Sequence, residues 1–178
     1  LRYDTRGHGA TDAPGGEYTV ELLGRDALAL LDRIEIDRVA WVGVSLGGFV
    51  GQWIAAHAPD RLAHLVLANT TARIAEPAAM DERREIVLAS GMRAIADAAM
   101  SRFFVKALVD ANPPHVASAR ETMLATNPVG YVGCCAALRD ADLHELLPRI
   151  ETATLIISGD ADEAMPWSGH GGVLASHI

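Results

Sequence analysis

One serine in this chain stands where its hydroxyl could act as a nucleophile. Ser45 lies in Gly43-Val44-Ser45-Leu46-Gly47, after the apolar run Val39-Ala40-Trp41-Val42 and just before an amphipathic helical pattern. A serine at such a strand-to-helix turn is held on strained backbone with a helix N-terminus beside it. The dipole and free N–H groups of that helix favour developing negative charge. The chemistry this suits is attack on a carbonyl carbon by a hydroxyl that a base has activated. The turn crowds the residues two positions to either side, so Gly43 and Gly47 are expected where a Cβ would clash. Gly51, one helical turn further on, is expected on the face that lies against the sheet. The competing reading makes Ser45 an ordinary side-chain N-cap in a tight connection.

A second chemical group arrives late in the chain. The apolar strand pattern Thr154-Leu155-Ile156-Ile157-Ser158 runs into Gly159-Asp160-Ala161-Asp162-Glu163-Ala164-Met165-Pro166. A carboxylate just past the carboxyl end of a parallel strand is where open α/β sheets place functional groups, which singles out Asp162. Solvation of a loop by an acidic run is the alternative, stronger for Asp160 and Glu163 than for Asp162.

The elements that must position these groups are legible from periodicity. Leu1-Arg2-Tyr3-Asp4 reads as a strand leading into the glycine-rich turn Thr5-Arg6-Gly7-His8-Gly9, where Arg6 and His8 are expected to fix the loop. Thr19 is an N-cap candidate for a helix with the apolar stripe Leu23, Ala27, Leu30, Leu31 and Ile34. The Ser45 strand and helix follow, then a second strand, Leu62–Ala68. Strand, helix, strand in this order imply right-handed crossovers and a parallel sheet. His57 suits the dipole at its helix end, and His64 reads as structural.

From Thr71 to about Asp142 strand patterns give way to helical ones. One carries Met92, Ile95, Ala96, Ala99, Met100 and Phe103 on a single face; another follows Pro113-Pro114; a third follows Asn127-Pro128. The expected organisation is a core part over 1–70, a helical cap over 71–142 and a second core part over 143–178.

The 178 residues, half of them hydrophobic, suffice for one substantial core. A formal net charge of −8 with no basic run argues against a nucleic-acid surface. No apolar run is long enough for a bilayer, so no membrane partner is expected and the cytoplasm is the default compartment. Cys134 and Cys135 are adjacent, a spacing for neither metal ligation nor a disulfide framework, and read as small buried hydrophobes. No metal and no cofactor is called for. The chain opens without Met and stops inside a helical pattern, which reads as a segment incomplete at both termini. The oligomeric state is left open.

Taken together, these stretches resemble the α/β-hydrolase superfamily: a parallel sheet flanked by helices, with a helical cap inserted between strands. Gly43–Gly47 is similar to its nucleophile elbow, Tyr3–Gly9 to its preceding strand-loop, and Gly159–Asp162 with Pro166 to its acid loop. More narrowly, Gly51–Pro59, Leu65–Thr70 and Gly130–Asp140 resemble the 3-oxoadipate enol-lactone hydrolases of aromatic-compound degradation.

That resemblance implies hydrolysis of an anionic enol-lactone by a Ser-His-Asp mechanism. Ser45 would be the nucleophile, Asp162 the acid and the Leu46 N–H an oxyanion donor. The family's histidine and its other oxyanion segment would fall after Ile178 and before Leu1; His170 and His177 follow the acid too closely to replace the former. Arg139 is the expected partner of the substrate carboxylate, with a salt bridge to Asp140 or Asp142 as the competing role. Trp41 and Tyr131 are further substrate-binding candidates. The alternatives are another hydrolase of the fold (an esterase, a carbon–carbon bond hydrolase or a cofactor-free perhydrolase) or a ligand-binding member without chemistry.

Overall fold

The computed structural model describes residues 1–178. The chain sorts into two compact units, 19–75 with 140–178, and 1–18 with 76–139.

The first of these is built on a parallel sheet of three strands, β1 (Val39–Val44), β2 (Leu62–Ala68) and β3 (Thr154–Ile157), with β2 in the centre. Trp41 and Gly43 pair with Leu65 and Leu67, which in turn pair with Thr154 and Ile156. Helix α1 (Val20–Arg33) begins where expected, because the Thr19 hydroxyl accepts the Leu22 N–H at 3.0 Å. Its stripe Leu23, Ala27 and Leu31 is buried, whereas Ile34 caps the helix and is exposed.

Helix α2 (Leu46–His57) is buried without interruption from Gly48 to Ala56. Two glycines permit that burial by close approach. A Cβ on Gly24 of α1 would lie 2.3 Å from the Trp53 ring, and one on Gly51 would lie 2.7 Å from Trp41 and 3.0 Å from Leu65. Phe49, Ile54, Leu62, Leu65 and Leu67 are wholly buried, each removal from water contributing about 2 kcal/mol. Leu147, in the 3-10 turn His144–Arg149, is buried with them.

The sheet is two-faced. Strand residues alternate, and while Leu65 and Leu67 are fully covered, Val42 (68 %), Val44 (61 %), Leu155 (57 %) and Ile157 (45 %) are open to solvent. Parallel sheets usually bury both faces.

Between β2 and β3 the chain runs through five helices, α3 (Ala78–Ser90), α4 (Arg93–Phe103), α5 (Lys106–Ala111), α6 (Pro114–Ala125) and α7 (Pro128–Asp140). Within the second unit, Val87, Met92, Ile95, Ala99, Met100, Met123 and Val132 form a buried cluster, with Tyr131 and Phe104 against it. The expected stripe of α4 is buried through Met100, but Phe103 is exposed.

Leu1–Asp4 forms no strand, contrary to the sequence expectation, because no strand runs beside it to complete a ladder. Asp4 instead organises the following turn, its carboxylate accepting the Ala10 N–H at 3.0 Å and its carbonyl the Thr11 hydroxyl at 2.7 Å. Gly7, at φ +78°, meets α7 backbone to backbone: a Cβ there would sit 2.3 Å from the Cα of Gly130, and one on Gly130 would sit 2.1 Å from the Gly7 carbonyl oxygen. Helix α8 (Gly171–His177) closes the unit that holds the sheet. No helix is long and apolar enough to cross a membrane.

Candidate active site

Ser45 has φ +50° and ψ −116°, a conformation costing a non-glycine residue about 1–3 kcal/mol that persists only where the surroundings over-determine it. Four hydrogen bonds do so. Its N–H donates to Ala68 O at 3.0 Å; its carbonyl accepts the N–H groups of Gly48 at 2.8 Å and Phe49 at 3.2 Å and the Thr70 hydroxyl at 2.8 Å. The side chain makes no capping bond, so Ser45 is not a side-chain N-cap. Its hydroxyl is left unspent at the end of β1. The Leu46 N–H, in the first turn of α2, has no acceptor within its own helix.

The glycine requirement at the turn is narrower than expected. A Cβ on Gly43 would lie 2.1 Å from Gly47 O, but one on Gly47 would meet nothing within 4 Å. The crowding therefore runs one way, from the strand side chain onto the helix backbone. Gly48, which the sequence reading passed over, is the other tight position, 2.5 Å from the Thr70 methyl. Trp41, expected at the substrate, donates its indole N–H to Gly47 O at 2.9 Å and so braces the elbow.

Asp162 lies in the turn after β3, half-buried. Its Oδ1 accepts the N–H groups of Ala164 and Met165, both at 2.9 Å, and its Oδ2 accepts the side-chain amide of Asn69. Asp160 and Glu163 are exposed. Asn69 directly follows β2, at φ +45°, and its backbone N–H donates to Ile157 O at 2.8 Å. Ser45, Asn69 and Asp162 thus follow the ends of β1, β2 and β3, on one edge of the sheet. The outer two strands are separated by two strand spacings, about 10 Å, which leaves room for a bridging ring between hydroxyl and carboxylate. Asn69 was missed as a site residue: in sequence it is one more polar residue at a strand end.

None of the seven histidines bonds to Ser45 or Asp162. His57 donates to or accepts from its surroundings only through Trp53, stacking on that ring at 4.5 Å with Nδ1 2.9 Å from Trp53 O. His64 is exposed on β2. His144 pairs with Asp142 at 2.7 Å, and that hydrogen bond holds the Asp142 carboxyl below its ordinary value. His177 lies against Val173 O at 2.8 Å, and the buried Nδ1 of His170 has no partner.

Arg139 and Tyr131 belong to the helical unit. Arg139 contacts Asp81 at 2.8 Å and Glu17 at 3.0 Å, while Arg84 bonds the same two carboxylates, at 3.0 Å to Asp81. Asp142 is occupied by His144 and Arg73. Hydrogen bonds from Arg139, then Arg84, hold the carboxyls of Glu17 and Asp81 below their ordinary range. With two cations and two anions, this quartet offers little net charge to a substrate carboxylate. Tyr131 packs on the Met-rich cluster, and burial pushes its phenol up to about 12.

A strained serine at the carboxyl edge of a parallel sheet, joined to a helix that starts at the next residue, is the elbow of a hydrolytic α/β fold. The chain belongs to the alpha/beta hydrolase family, whose fold model matches residues 1–178. It is 38 % identical over 176 residues to 3-oxoadipate enol-lactonase 2 of Acinetobacter baylyi, covering 99 % of this chain and 66 % of that protein. Among solved structures, the enol-lactonase from Burkholderia xenovorans superposes with a TM-score of 0.96 at 39 % identity, over 99 % of this chain and 68 % of that one. A hydrolase from Pseudomonas aeruginosa does so with a TM-score of 0.95 at 46 % identity, over 99 % and 67 %. The chain therefore spans about two thirds of the length of these relatives.

Proposed function

We propose that this chain carries the nucleophile and the acid of a serine hydrolase that opens 3-oxoadipate enol-lactone to 3-oxoadipate. The observation that carries the reading is the backbone of Ser45, locked at positive φ with its hydroxyl uncommitted. Its similarity to two enol-lactonases supports the choice of substrate.

In this reading Ser45 Oγ attacks the lactone carbonyl carbon while a histidine placed between it and Asp162 takes the hydroxyl proton. Asp162, acceptor of three N–H groups, keeps lone-pair capacity for the imidazole and fixes its tautomer. The carbonyl oxygen becomes an oxyanion facing the Leu46 N–H, where a fixed donor at a helix N-terminus stabilises it without reorganising. Collapse breaks the ring C–O bond; the enolate oxygen takes the proton back from the histidine and the enol becomes a ketone, which draws the ring opening forward. Water, deprotonated by the same histidine, then hydrolyses the acyl-serine.

The test is Ser45→Ala in the full-length protein, assayed on the enol-lactone and on a neutral aryl ester. Lactone turnover should fall by about six orders of magnitude, the loss typical of a nucleophile that acts in concert with its base. A wild-type protein that turned over the aryl ester far faster than the lactone would refute the substrate assignment, and an active alanine variant would refute the mechanism.

A further inference from the structure

We propose that Thr70 is a positioning residue for the oxyanion donor: its hydroxyl holds the Ser45–Leu46 peptide so that the Leu46 N–H faces the reacting carbonyl oxygen. The inference rests on the serine-hydrolase reading above. All of its residues belong to the unit that carries the sheet.

The donor and the Thr70 contact are parts of one rigid group. A trans peptide is planar and its C=O and N–H point in opposite directions, so whatever fixes the oxygen also aims the hydrogen. Here the oxygen is that of Ser45 and the hydrogen that of Leu46. Thr70 Oγ1 donates to Ser45 O at 2.8 Å.

The same oxygen already accepts the N–H groups of Gly48 at 2.8 Å and Phe49 at 3.2 Å. Those two donors occupy both lone pairs of the carbonyl, so the hydroxyl is not needed to satisfy a buried acceptor. What it adds is a reference point outside the helix. Gly48 and Phe49 belong to α2, as the Leu46 donor does, and move with it; Thr70 stands just beyond the end of β2. A further donor on the carbonyl also polarises the peptide and strengthens its N–H.

The surrounding chain is built to keep this contact. Thr70 is buried, and Gly48 opposite it makes room: a Cβ there would sit 2.5 Å from the Thr70 methyl and 2.6 Å from its hydroxyl oxygen. Both neighbours of Thr70 are tied down. The Asn69 N–H donates to Ile157 O at 2.8 Å, and the Thr71 carbonyl accepts the amide of the wholly buried Gln52 at 3.1 Å, which also donates to Gly48 O at 3.2 Å. A hydroxyl carried on backbone fixed at either side holds the elbow peptide and is not free to follow it.

Wild type, Thr70→Val, Thr70→Ala and Thr70→Ser are compared in the full-length protein, on the enol-lactone and on a neutral aryl ester. Both substrates pass through an oxyanion, so the effect should be common to both. Loss of the hydroxyl in the valine and alanine variants should lower kcat about 10-fold, less than the hundred- to thousand-fold cost of removing such a donor outright, with KM within about two-fold. Serine keeps the hydroxyl and should stay within about three-fold of wild type. Affinity for phenylboronic acid, whose tetrahedral adduct with Ser45 places an oxygen where the oxyanion forms, should fall in step with kcat in the valine and alanine variants.

A kcat that follows side-chain size instead, with valine like wild type and serine like alanine, would assign Thr70 to packing and overturn the proposal. Unchanged boronate affinity in the valine and alanine variants overturns it too. A wild type that turns over neither substrate and binds no boronate overturns the hydrolase reading, and this inference with it.

Discussion

Asn69 shows how much one side chain at a strand end can decide. Its amide is the sole side-chain donor to Asp162, and its backbone, at φ +45°, is tied to β3 through Ile157. A hydrogen bond to a charged group is worth about 1.5–3 kcal/mol. If Asp162 orients the catalytic imidazole, Asn69→Ala should cut kcat by about 10- to 100-fold, since each 1.4 kcal/mol is a decade. Lactone KM and the far-ultraviolet circular dichroism should stay near wild type; kcat within two-fold of wild type would show that the two backbone donors hold the acid unaided. The places of Ser45 and Asp162 after strand ends were legible in the sequence because each sits where a strand pattern meets a distinct turn. Asn69 was not, because its role depends on a residue 93 positions away that only the sheet brings near. The bracing contact of Trp41 was hidden for a related reason. Its ring looks available in sequence, but its N–H meets a carbonyl six residues on because the chain doubles back at the elbow.

At the scale of elements, helices with an apolar stripe, or with a proline or threonine at the start, were readable: α1, α4, α6 and α7 lie where periodicity or those starting residues put them. Helix α3 was not, because it buries only Met80 and Val87 along a run of charges, and α5 buries nothing. What stabilises α3 is partly electrostatic, the quartet of Glu17, Asp81, Arg84 and Arg139. Folding lowers the affinity of both carboxylates for protons, so the unfolded chain binds more protons in acid and stability rises with pH through that range. The contribution is complete above the ordinary values of 4.5 and 3.8 and is lost as pH falls through the lower native values. Urea unfolding at a series of pH values, followed by a probe on α3, should therefore show a decline below about pH 4.5 that Arg139→Gln flattens. An equally steep decline in the variant would assign the acid sensitivity to other carboxylates. Such surface pairs are individually weak and salt-screened, so the difference should shrink in molar salt.

At the scale of the whole 178-residue chain, one side of the sheet is open to solvent. Val42, Val44, Leu155 and Ile157 form a β-branched and leucine surface on a parallel sheet. Contiguous apolar surface of this kind drives association and binds hydrophobic dyes. The 178-residue chain should enhance the fluorescence of an anilinonaphthalene sulfonate, and the triple change Val44→Thr, Leu155→Thr, Ile157→Thr should reduce that signal without changing secondary structure. Enhancement that survives the triple change would place the dye elsewhere.

The contact of Gly7 with Gly130 carries a consequence for descent rather than for stability. Two strands of main chain touch there with no room for even a methyl group, so neither position can drift alone. A lineage that acquired alanine at one could not be repaired by trimming the other, which is already minimal. The two codons are therefore bound together in inheritance although 122 others separate them.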